Sequence, residues 1–333
     1  MEQRKSVLLL GGSGQAGSDT AARLRRWYPE LPLTVAGRNP ERAQRVADEL
    51  GGATAVTVDM ARDDLGLPAG REYSAVVATL WDSRLTGLRF AQDHGAPYVG
   101  LSSGLIDIAP EITAGVQRPG AAPVLMAGHW AAGVITLTVL EWSQKFDRVD
   151  TIRIGAILDE NDAGGPAGLA DLERWAEVTS AGYARRDGVF AWTAAAEAQV
   201  ELRSLDGTAL TGRTIPILDV TSLAFATGAP NVEFAFAVGE SAGSRRGEAP
   251  SVEVRIDLEG RGPAGAPLSI TRYVVHPGGQ RPLTSLGLAL GIERLLGLRG
   301  DAVAPGIYTP EALLDPAYAV KQLVDVGATF VDV

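Results

Sequence analysis

Three glycines near the start of the chain have the spacing with which a backbone can hold a pyrophosphate. Gly12, Gly14 and Gly17 form the pattern G-x-G-x-x-G. They follow an apolar run at residues 7–10 of buried-strand length, and helical spacing follows them. In such a unit the first glycine makes the turn, the second lets the phosphates approach, and the third brings helix and strand together. Because the helix N-terminus offers free N–H groups, the pattern predicts a dinucleotide site.

The end of the second predicted strand indicates which dinucleotide to expect. About 20 residues beyond the glycines, an acidic side chain would bind the ribose 2′-hydroxyl of NAD(H). This chain has Gly37 and Arg38 there, with Arg42 one helical turn further. A guanidinium suits a 2′-phosphate, so we expect NADP(H) rather than NAD(H). A solvated surface charge is the alternative interpretation of Arg38.

Hydride transfer to a carbonyl or an imine also needs a proton donor, and histidine is the usual one. Of the three histidines, His94 closes a predicted helix, where a cation is favourable, so we expect it to be structural. His129 follows the sixth predicted strand and is a catalytic candidate; a packed neighbour of Trp130 is the alternative. Asp82 follows the fourth predicted strand and is the second catalytic candidate, as a proton donor or as the partner of a substrate ammonium group.

Four residues are candidates for contact with a substrate. Trp81 and Trp130 stand next to the two catalytic candidates, and their rings would exclude water. His276 and Arg281 lie in a loop that follows a strand of the second predicted domain. Arg281 would hold a substrate carboxylate, and an ordinary surface charge is the alternative for it.

Six apolar or alternating runs, separated by helical segments, predict the sheet that positions these residues. The runs lie at residues 7–10, 33–37, 53–58, 75–80, 97–101 and 123–127. Such alternation predicts an α/β fold, and a doubly wound parallel sheet of the Rossmann type is the economical arrangement. Ligands bind such sheets outside the carboxyl ends of the strands. The cofactor-binding candidates there are Gly12, Ser13, Gly14, Gln15, Ala16, Gly17, Gly37, Arg38, Asn39, Arg42, Asp59, Met60, Thr79, Leu80, Trp81 and Ser102.

The pattern changes after residue 149. Apolar and polar residues alternate at 152–158, which suits a sheet with one wet face. Further antiparallel strands are expected near residues 190–202, 224–238, 252–258 and 268–275, with helices near 169–181 and 283–298. The sequence therefore predicts a second, α+β domain built on a mostly antiparallel sheet. The predicted bounds are 1–147 for the dinucleotide-binding Rossmann domain, 148–282 for the substrate or oligomerisation domain, and 283–333 for a C-terminal segment that packs back on the Rossmann domain.

Composition excludes several classes of function. The net charge of −10 argues against a nucleic-acid partner. The chain has no cysteine, which excludes disulfides, thiolate catalysis and cysteine-based metal sites. The acidic loop at 159–165 lacks the terminal glutamate of a calcium-binding loop, so no metal is expected. No apolar run approaches the roughly 20 residues that span a bilayer, and the N-terminus does not resemble a signal peptide, so we expect a cytoplasmic protein without a membrane partner.

Several motifs together resemble the saccharopine dehydrogenase-like family. They are GGSGQAG, TVAGRNPERA, VDM, AGHWAAG and PGIYTPEALLDP. The resemblance implies a Rossmann domain joined to an α+β domain and, in many members, reduction or oxidation of a C–N bond with NAD(P)(H). The chain departs from the family pattern at Trp81 and Asp82 and at residues 130–133, where a substrate would meet the nicotinamide.

Motifs and resemblance together favour an NADP(H)-dependent oxidoreductase acting on the C–N bond of a small amine, imine or amino-acid-like metabolite. We expect it to form a homo-oligomer, such as a dimer. A short-chain dehydrogenase is excluded because no tyrosine has a lysine four residues later. A non-catalytic NADP(H)-binding sensor is the remaining alternative, and the large second domain argues against it.

Overall fold

The chain divides into two compact units. The computed structural model describes residues 5–101, 104–162, 173–174 and 177–333, except for the side chain of residue 106. Unit 1 comprises Met1–Gly128 and Thr284–Leu314, and unit 2 comprises His129–Leu283 and Asp315–Val333. The boundaries of these units differ from those of the predicted domains. Residues 129–147 belong to unit 2, and the C-terminal segment is shared between the units.

Unit 1 is built on a parallel sheet. Its strands are β1 (Ser6–Leu10), β2 (Leu33–Gly37), β3 (Ala53–Thr57), β4 (Tyr73–Ala78), β5 (Tyr98–Gly100), β6 (Pro123–Met126) and β15 (Gly306–Tyr308). They lie in the order β15-β6-β5-β4-β1-β2-β3, and every pair is parallel. The order reverses between β1 and β4, as in a doubly wound Rossmann sheet. The predicted fold class is confirmed, and β15 adds a seventh strand from the C-terminal segment.

The helices that follow these strands begin where the local sequence favours it. They are α1 (Gln15–Trp27), α2 (Pro40–Leu50), α3 (Thr86–Asp93) and α4 (Leu105–Gln117). Asn39 caps α2, since its side chain accepts a hydrogen bond from Arg42 N, and Pro40 takes the first helical position. Ala43 then packs against Val35 of β2 in the core beneath the helix.

Unit 2 is built on a mixed sheet. Its strands are β7 (Arg148–Asp159), β8 (Gly182–Arg186), β9 (Val189–Thr193), β10 (Gln199–Arg203), β11 (Ala209–Thr214), β12 (Asn231–Gly239), β13 (Val252–Arg261), β14 (Pro267–His276) and β16 (Thr329–Asp332). The main path is β10-β11-β12-β7-β13-β14-β16, and the β8–β9 hairpin joins it through β12. Ile152, Ile154 and Ala156 of β7 are buried, as the alternation predicts. The helices of unit 2 are α5 (Val134–Ser143), α6 (Leu218–Thr227), α7 (Ala242–Arg245) and α10 (Pro316–Asp325). Helix α8 (Arg281–Leu295) begins in unit 2 and continues in unit 1, and α9 (Pro310–Leu313) belongs to unit 1.

Several parts of unit 2 differ from the sequence-based expectation. Residues 224–238 first complete α6, which ends at Gly228 in the left-handed conformation (φ 72°), and only then form β12. Residues 190–202 form two strands, β9 and β10, with a turn between them. β12 runs parallel to β7, whereas the other strand pairs are antiparallel. The final strand β16, expected beside the Rossmann domain, pairs with β14. Residues 169–172, 175 and 176 of the predicted helix at 169–181 lie outside the described residues, and residues 179–181 are not helical.

Within the described part of the chain, no helix has the length and apolar character needed to cross a membrane.

Gly17 has no room for a side chain, which yields a first prediction. A Cβ there would lie 2.5 Å from Gly11 O and 2.7 Å from Gly12 Cα. Both are backbone atoms, so neither can move without shifting the turn between β1 and α1. We expect Gly17→Ala to lower the free energy of unfolding by about 1–3 kcal/mol in a urea titration.

The matched control is Gly120→Ala. A Cβ at Gly120 would meet nothing within 4 Å. That substitution should change the free energy of unfolding by less than about 0.5 kcal/mol. Equal losses in the two variants would contradict the close-packing account of Gly17.

Candidate functional site

The glycine turn places a residue without a side chain, Gly14, at the N-terminus of α1. Within 4 Å, a Cβ on Gly14 would meet Gly11 O alone, at 3.1 Å. Gly14 is the N-cap of α1, and no side chain caps this helix end. Gln15 and Ala16 are the first helical residues behind it. A helix N-terminus that begins at a glycine, and that no described side chain caps, offers the N–H donors that a phosphate needs.

The tip of β2 and the first turn of α2 carry two arginines that have no hydrogen-bond or ion-pair partner among the described residues. Ser13 of the glycine turn lies beside this tip, because a Cβ on Gly37 would stand 2.7 Å from Ser13 Oγ. Arg38 and Arg42 follow, and both are exposed. Neither guanidinium forms a hydrogen bond or an ion pair with another described residue. Asn39, also a cofactor-binding candidate, is engaged as the cap of α2.

The candidates at the ends of β3 and β4 take part in the framework of unit 1. Thr79 Oγ1 donates to Leu10 O at 3.0 Å and so ties the end of β4 to that of β1. Asp59 Oδ1 accepts a backbone N–H two residues further on, at 2.9 Å. Met60 O accepts from Thr86 Oγ1 at 2.8 Å, which fixes the start of α3. These contacts shape the edge of the sheet where the ligands of this fold bind.

Asp82 holds the start of α3. Its side chain is buried, and Oδ2 accepts the N–H of Gly87 at 2.6 Å. A carboxylate in this position satisfies an N–H that the helix leaves unpaired. Just before it, Leu80 lies against Gly11, while Trp81 is exposed. One oxygen of this catalytic candidate is thus engaged by the helix, and Oδ1 forms no such bond with a described residue.

Glu111 of α4 is a buried acid that the sequence reasoning missed. Its Oε2 has no hydrogen-bond partner among the described residues. Burial, and then the negative charges of Asp107 and Asp82, raise the pKa of Glu111 to about 7. Burial and the charges of Glu111 and Asp82 also raise the pKa of Tyr98. A group that titrates near neutral pH therefore lies close to one of the catalytic candidates. The available signal was a second acid, four residues after Asp107, in a helix with many apolar residues.

In unit 2, helix α6 holds the catalytic candidate His129. The buried imidazole places Nε2 2.8 Å from Ser222 Oγ. Asp219, one turn earlier on α6, accepts Trp130 N on Oδ2 at 2.8 Å and Thr136 Oγ1 on Oδ1 at 2.6 Å. Residues three apart share a helix face, so one face of α6 fixes both His129 and the segment that follows it. Asp219 and Ser222 were not selected from the sequence.

The segment that Asp219 holds has a left-handed backbone. Ala131 and Ala132 have φ values of 50° and 53°, and Gly133 has a φ of 90°. This conformation costs a non-glycine residue about 1–2 kcal/mol. Helix α5 therefore begins only after this turn, at Val134. Burial raises the pKa of Asp219, against the opposing effects of His129 and of the hydrogen bonds that the carboxyl group accepts.

Trp130, a substrate-contact candidate, lies in an aromatic group. Its ring centroid is 5.5 Å from that of Phe234 and 5.1 Å from that of Phe236. The indole Nε1 is buried without a hydrogen-bond partner among the described residues. Because an unpaired buried donor is unfavourable, an acceptor on a ligand would stabilise this position.

The other two substrate-contact candidates lie where α8 begins. His276 Nδ1 accepts from Gly278 N at 2.9 Å, and Nε2 donates to Val326 O at 3.0 Å, which fixes one neutral tautomer. Arg281 is the first residue of α8 and is exposed. Asp162 lies near it, and burial raises the pKa of that carboxyl group while Arg281 opposes the shift. Both ring nitrogens of His276 thus serve the local fold.

The structure divides the predicted site residues between the two units. Unit 1 contains the described cofactor-binding candidates together with Asp82, and unit 2 contains His129, Trp130, His276 and Arg281. Ser102 lies outside the described residues. No group of three or more histidine, aspartate or glutamate side chains in the described part of the chain could hold a metal ion.

Comparison with known proteins supports the fold. No family model and no curated protein matches the chain. Apo saccharopine dehydrogenase (L-glutamate forming) from Saccharomyces cerevisiae has a TM-score of 0.67 at 13% identity, with 99% of this chain and 100% of that chain covered. An oxidoreductase from Thermotoga maritima has a TM-score of 0.49 at 12% identity, with 97% and 95% covered. At such identities the first match establishes a shared fold, and the second is too loose to support an inference.

Glu111 yields a prediction for the pH dependence of stability. Its pKa is about 7 in the folded chain and near the usual 4.5 when unfolded. Between these values the folded state keeps a proton that the unfolded state has lost, so the free energy of unfolding falls as pH rises. Glu111→Gln removes this contribution. From pH 4.5 to 8, the variant should gain about 2–4 kcal/mol of stability relative to the parent, measured by urea unfolding.

The control is Glu49→Gln, at an exposed position of α2. Its stability should follow that of the parent across the same pH range. Parallel pH profiles for Glu111→Gln and the parent would contradict the buried, neutral state of Glu111.

Proposed function

We propose that the chain is an NADP(H)-dependent oxidoreductase that reduces an imine, or oxidises an amine, of a small metabolite. The observation that carries the proposal is the glycine at the N-terminus of α1, which no described side chain caps, beside Arg38 and Arg42, which are exposed and have no ion-pair partner among the described residues. The fold shared with saccharopine dehydrogenase and the family-like motifs support a C–N bond as the reacting bond.

The cofactor assignment follows from space and charge. The N–H groups at the start of α1 would bind the pyrophosphate, which can approach because Gly14 has no side chain. Arg38 and Arg42 would bind the 2′-phosphate, since a guanidinium donates two parallel hydrogen bonds to phosphate oxygens. Both arginines are exposed and unpaired, so binding would break no existing ion pair.

In this reaction the side chains of the protein would supply a proton to the substrate nitrogen. Imine reduction adds a hydride to carbon, which the bound cofactor supplies, and a proton to nitrogen. We assign the proton to His129, which comes three residues after β6 and so follows the edge of the sheet where ligands bind. The proton on Nε2 would reach the nitrogen directly or through the hydroxyl of Ser222. Asp82 would orient a substrate ammonium group through Oδ1.

A second candidate function is an NADP(H)-binding sensor without catalysis. The observation that favours it is that both proton-transfer candidates already serve the fold: Asp82 holds α3, and His129 is bonded to Ser222. The two functions are distinguished by whether the protein oxidises NADPH in the presence of a substrate. We expect NADPH to be oxidised with some member of a panel of cyclic imines and of 2-oxo acids paired with amines. Tight NADPH binding with no turnover would favour the sensor.

Replacing Arg38 tests the cofactor assignment. A charge-assisted contact contributes about 1.5–3 kcal/mol, so Arg38→Ala should weaken NADPH binding roughly tenfold to a hundredfold and leave NADH binding nearly unchanged. Fluorescence titration with each cofactor measures this difference.

Arg45→Ala is the matched control, because Arg45 is an exposed arginine further along α2. It should leave the affinity for both cofactors unchanged. Equal losses for NADPH and NADH in Arg38→Ala, or tighter NADH binding by the parent, would contradict the 2′-phosphate assignment.

Replacing His129 tests the proton donor. General acid catalysis contributes about 10²–10⁴-fold, so His129→Gln should lower kcat by that order while NADPH affinity changes little. Glutamine can still bond to Ser222, which keeps the local fold. His94→Gln is the control, because His94 bonds to Phe90 O at the end of α3 and should not affect kcat. A His129→Gln variant that binds NADPH and turns over at the parent rate would rule His129 out.

A further inference from the structure

The outer edge of β9 has no partner strand in the described part of the chain. β9 pairs with β8 on one side only. An edge strand presents N–H and C=O groups that can pair with another strand, and soluble proteins usually block such edges with charges or proline. β9 reads Val-Phe-Ala-Trp-Thr and contains neither. Four of these five residues are β-branched or aromatic, the types that favour strand pairing.

Aromatic rings cover one face of this edge. Phe190 and Trp192 both lie against Tyr183 of β8, with ring centroids 6.0 Å and 5.0 Å from it. Phe225 of α6 continues the row, 5.6 Å from Phe190. Trp192 is 57% exposed and Phe225 is 76% exposed. A contiguous exposed apolar surface beside an unpaired strand edge indicates a protein contact.

We propose that this edge binds a second copy of the chain, with the two β9 strands antiparallel about a two-fold axis at Ala191. In this register Ala191 faces its own symmetry mate, and Phe190 faces Trp192 of the other copy. The strand is therefore complementary to itself, as a two-fold contact requires. The rings of Phe190 and Trp192 in one copy would lie next to those of the other copy across the axis. β9 and the following residues 194–196 carry no charge, so two chains of net charge −10 bring no like charges together at the axis.

The available area suits a weak dimer. A large aromatic side chain buries about 150–250 Å², so Trp192 and Phe225 together leave roughly 200–300 Å² exposed on each copy. With Val189 and the strand edge, two copies would bury on the order of 1,000 Å², the lower limit for a specific interface. We therefore expect a dissociation constant on the order of micromolar.

The axis at Ala191 permits a charge-exchange experiment. Residues directly opposite on antiparallel strands have Cβ atoms about 4.5–5.5 Å apart, so equal charges at position 191 repel and opposite charges attract. By sedimentation equilibrium up to about 200 µM, the parent should dimerise. Ala191→Lys alone and Ala191→Glu alone should be monomers, and their equimolar mixture should dimerise again.

Two further variants keep the test decisive if the strand substitutions disturb folding, which circular dichroism would reveal. Phe225→Ser, at an exposed helical position outside the strand, should weaken the dimer about tenfold or more. Val324→Glu, at an exposed apolar position of α10, should leave it unchanged. A monomeric parent, charged variants that still dimerise alone, a mixture that stays monomeric, or an unchanged dimer in Phe225→Ser would each overturn the proposal.

Discussion

No described side chain separates the start of α1 from the end of β1, and the nucleotide site proposed for unit 1 depends on this approach. Gly17 lies so close to Gly11 O that even a methyl group is excluded, and Gly11 itself is left-handed, with a φ of 78°. Thr79 bonds to Leu10 O and fixes the neighbouring strand beside the turn. With the helix held this close, its N-terminus begins at Gly14, where no described side chain caps it. The proposed anion site is thus a consequence of packing in the framework.

A buried carboxylate has the corresponding role in unit 2. Asp219 is the acceptor for both ends of a turn in which Ala131 and Ala132 are left-handed. The strain of those two residues persists because the surrounding contacts determine the backbone. Ser222, on the same face of α6, fixes the imidazole of His129. One face of α6 therefore fixes both the backbone and the side chain of the proposed proton donor. Because Asp219 is buried, losing either of its hydrogen-bond partners, Trp130 N or Thr136 Oγ1, would destabilise the fold.

Local sequence patterns were sufficient to predict much of unit 1, but they predicted little of the arrangement around His129 in unit 2. The glycine spacing and the six strands depend on neighbouring residues, so the sequence predicts them. β15 has only three residues, too few for any periodicity. The parallel pairing of β12 with β7, and the bond from Asp219 to Trp130 across 89 residues, depend on contacts that no local pattern encodes. A single aspartate within the apolar residues 215–224 was the available sign of a buried carboxylate.

In the proposed reaction, the cofactor held at the glycine turn gives its hydride to the carbon of a C–N bond. NADPH deuterated at C4 of the nicotinamide tests this transfer when it is supplied with the imine and oxo-acid–amine panel and the amine products are examined by mass spectrometry. We expect deuterium on the carbon bonded to nitrogen in at least one product, and no label when the cofactor is omitted. Bound NADPH with deuterium in no product, or label transferred only to the carbinol carbon of an alcohol, would contradict it.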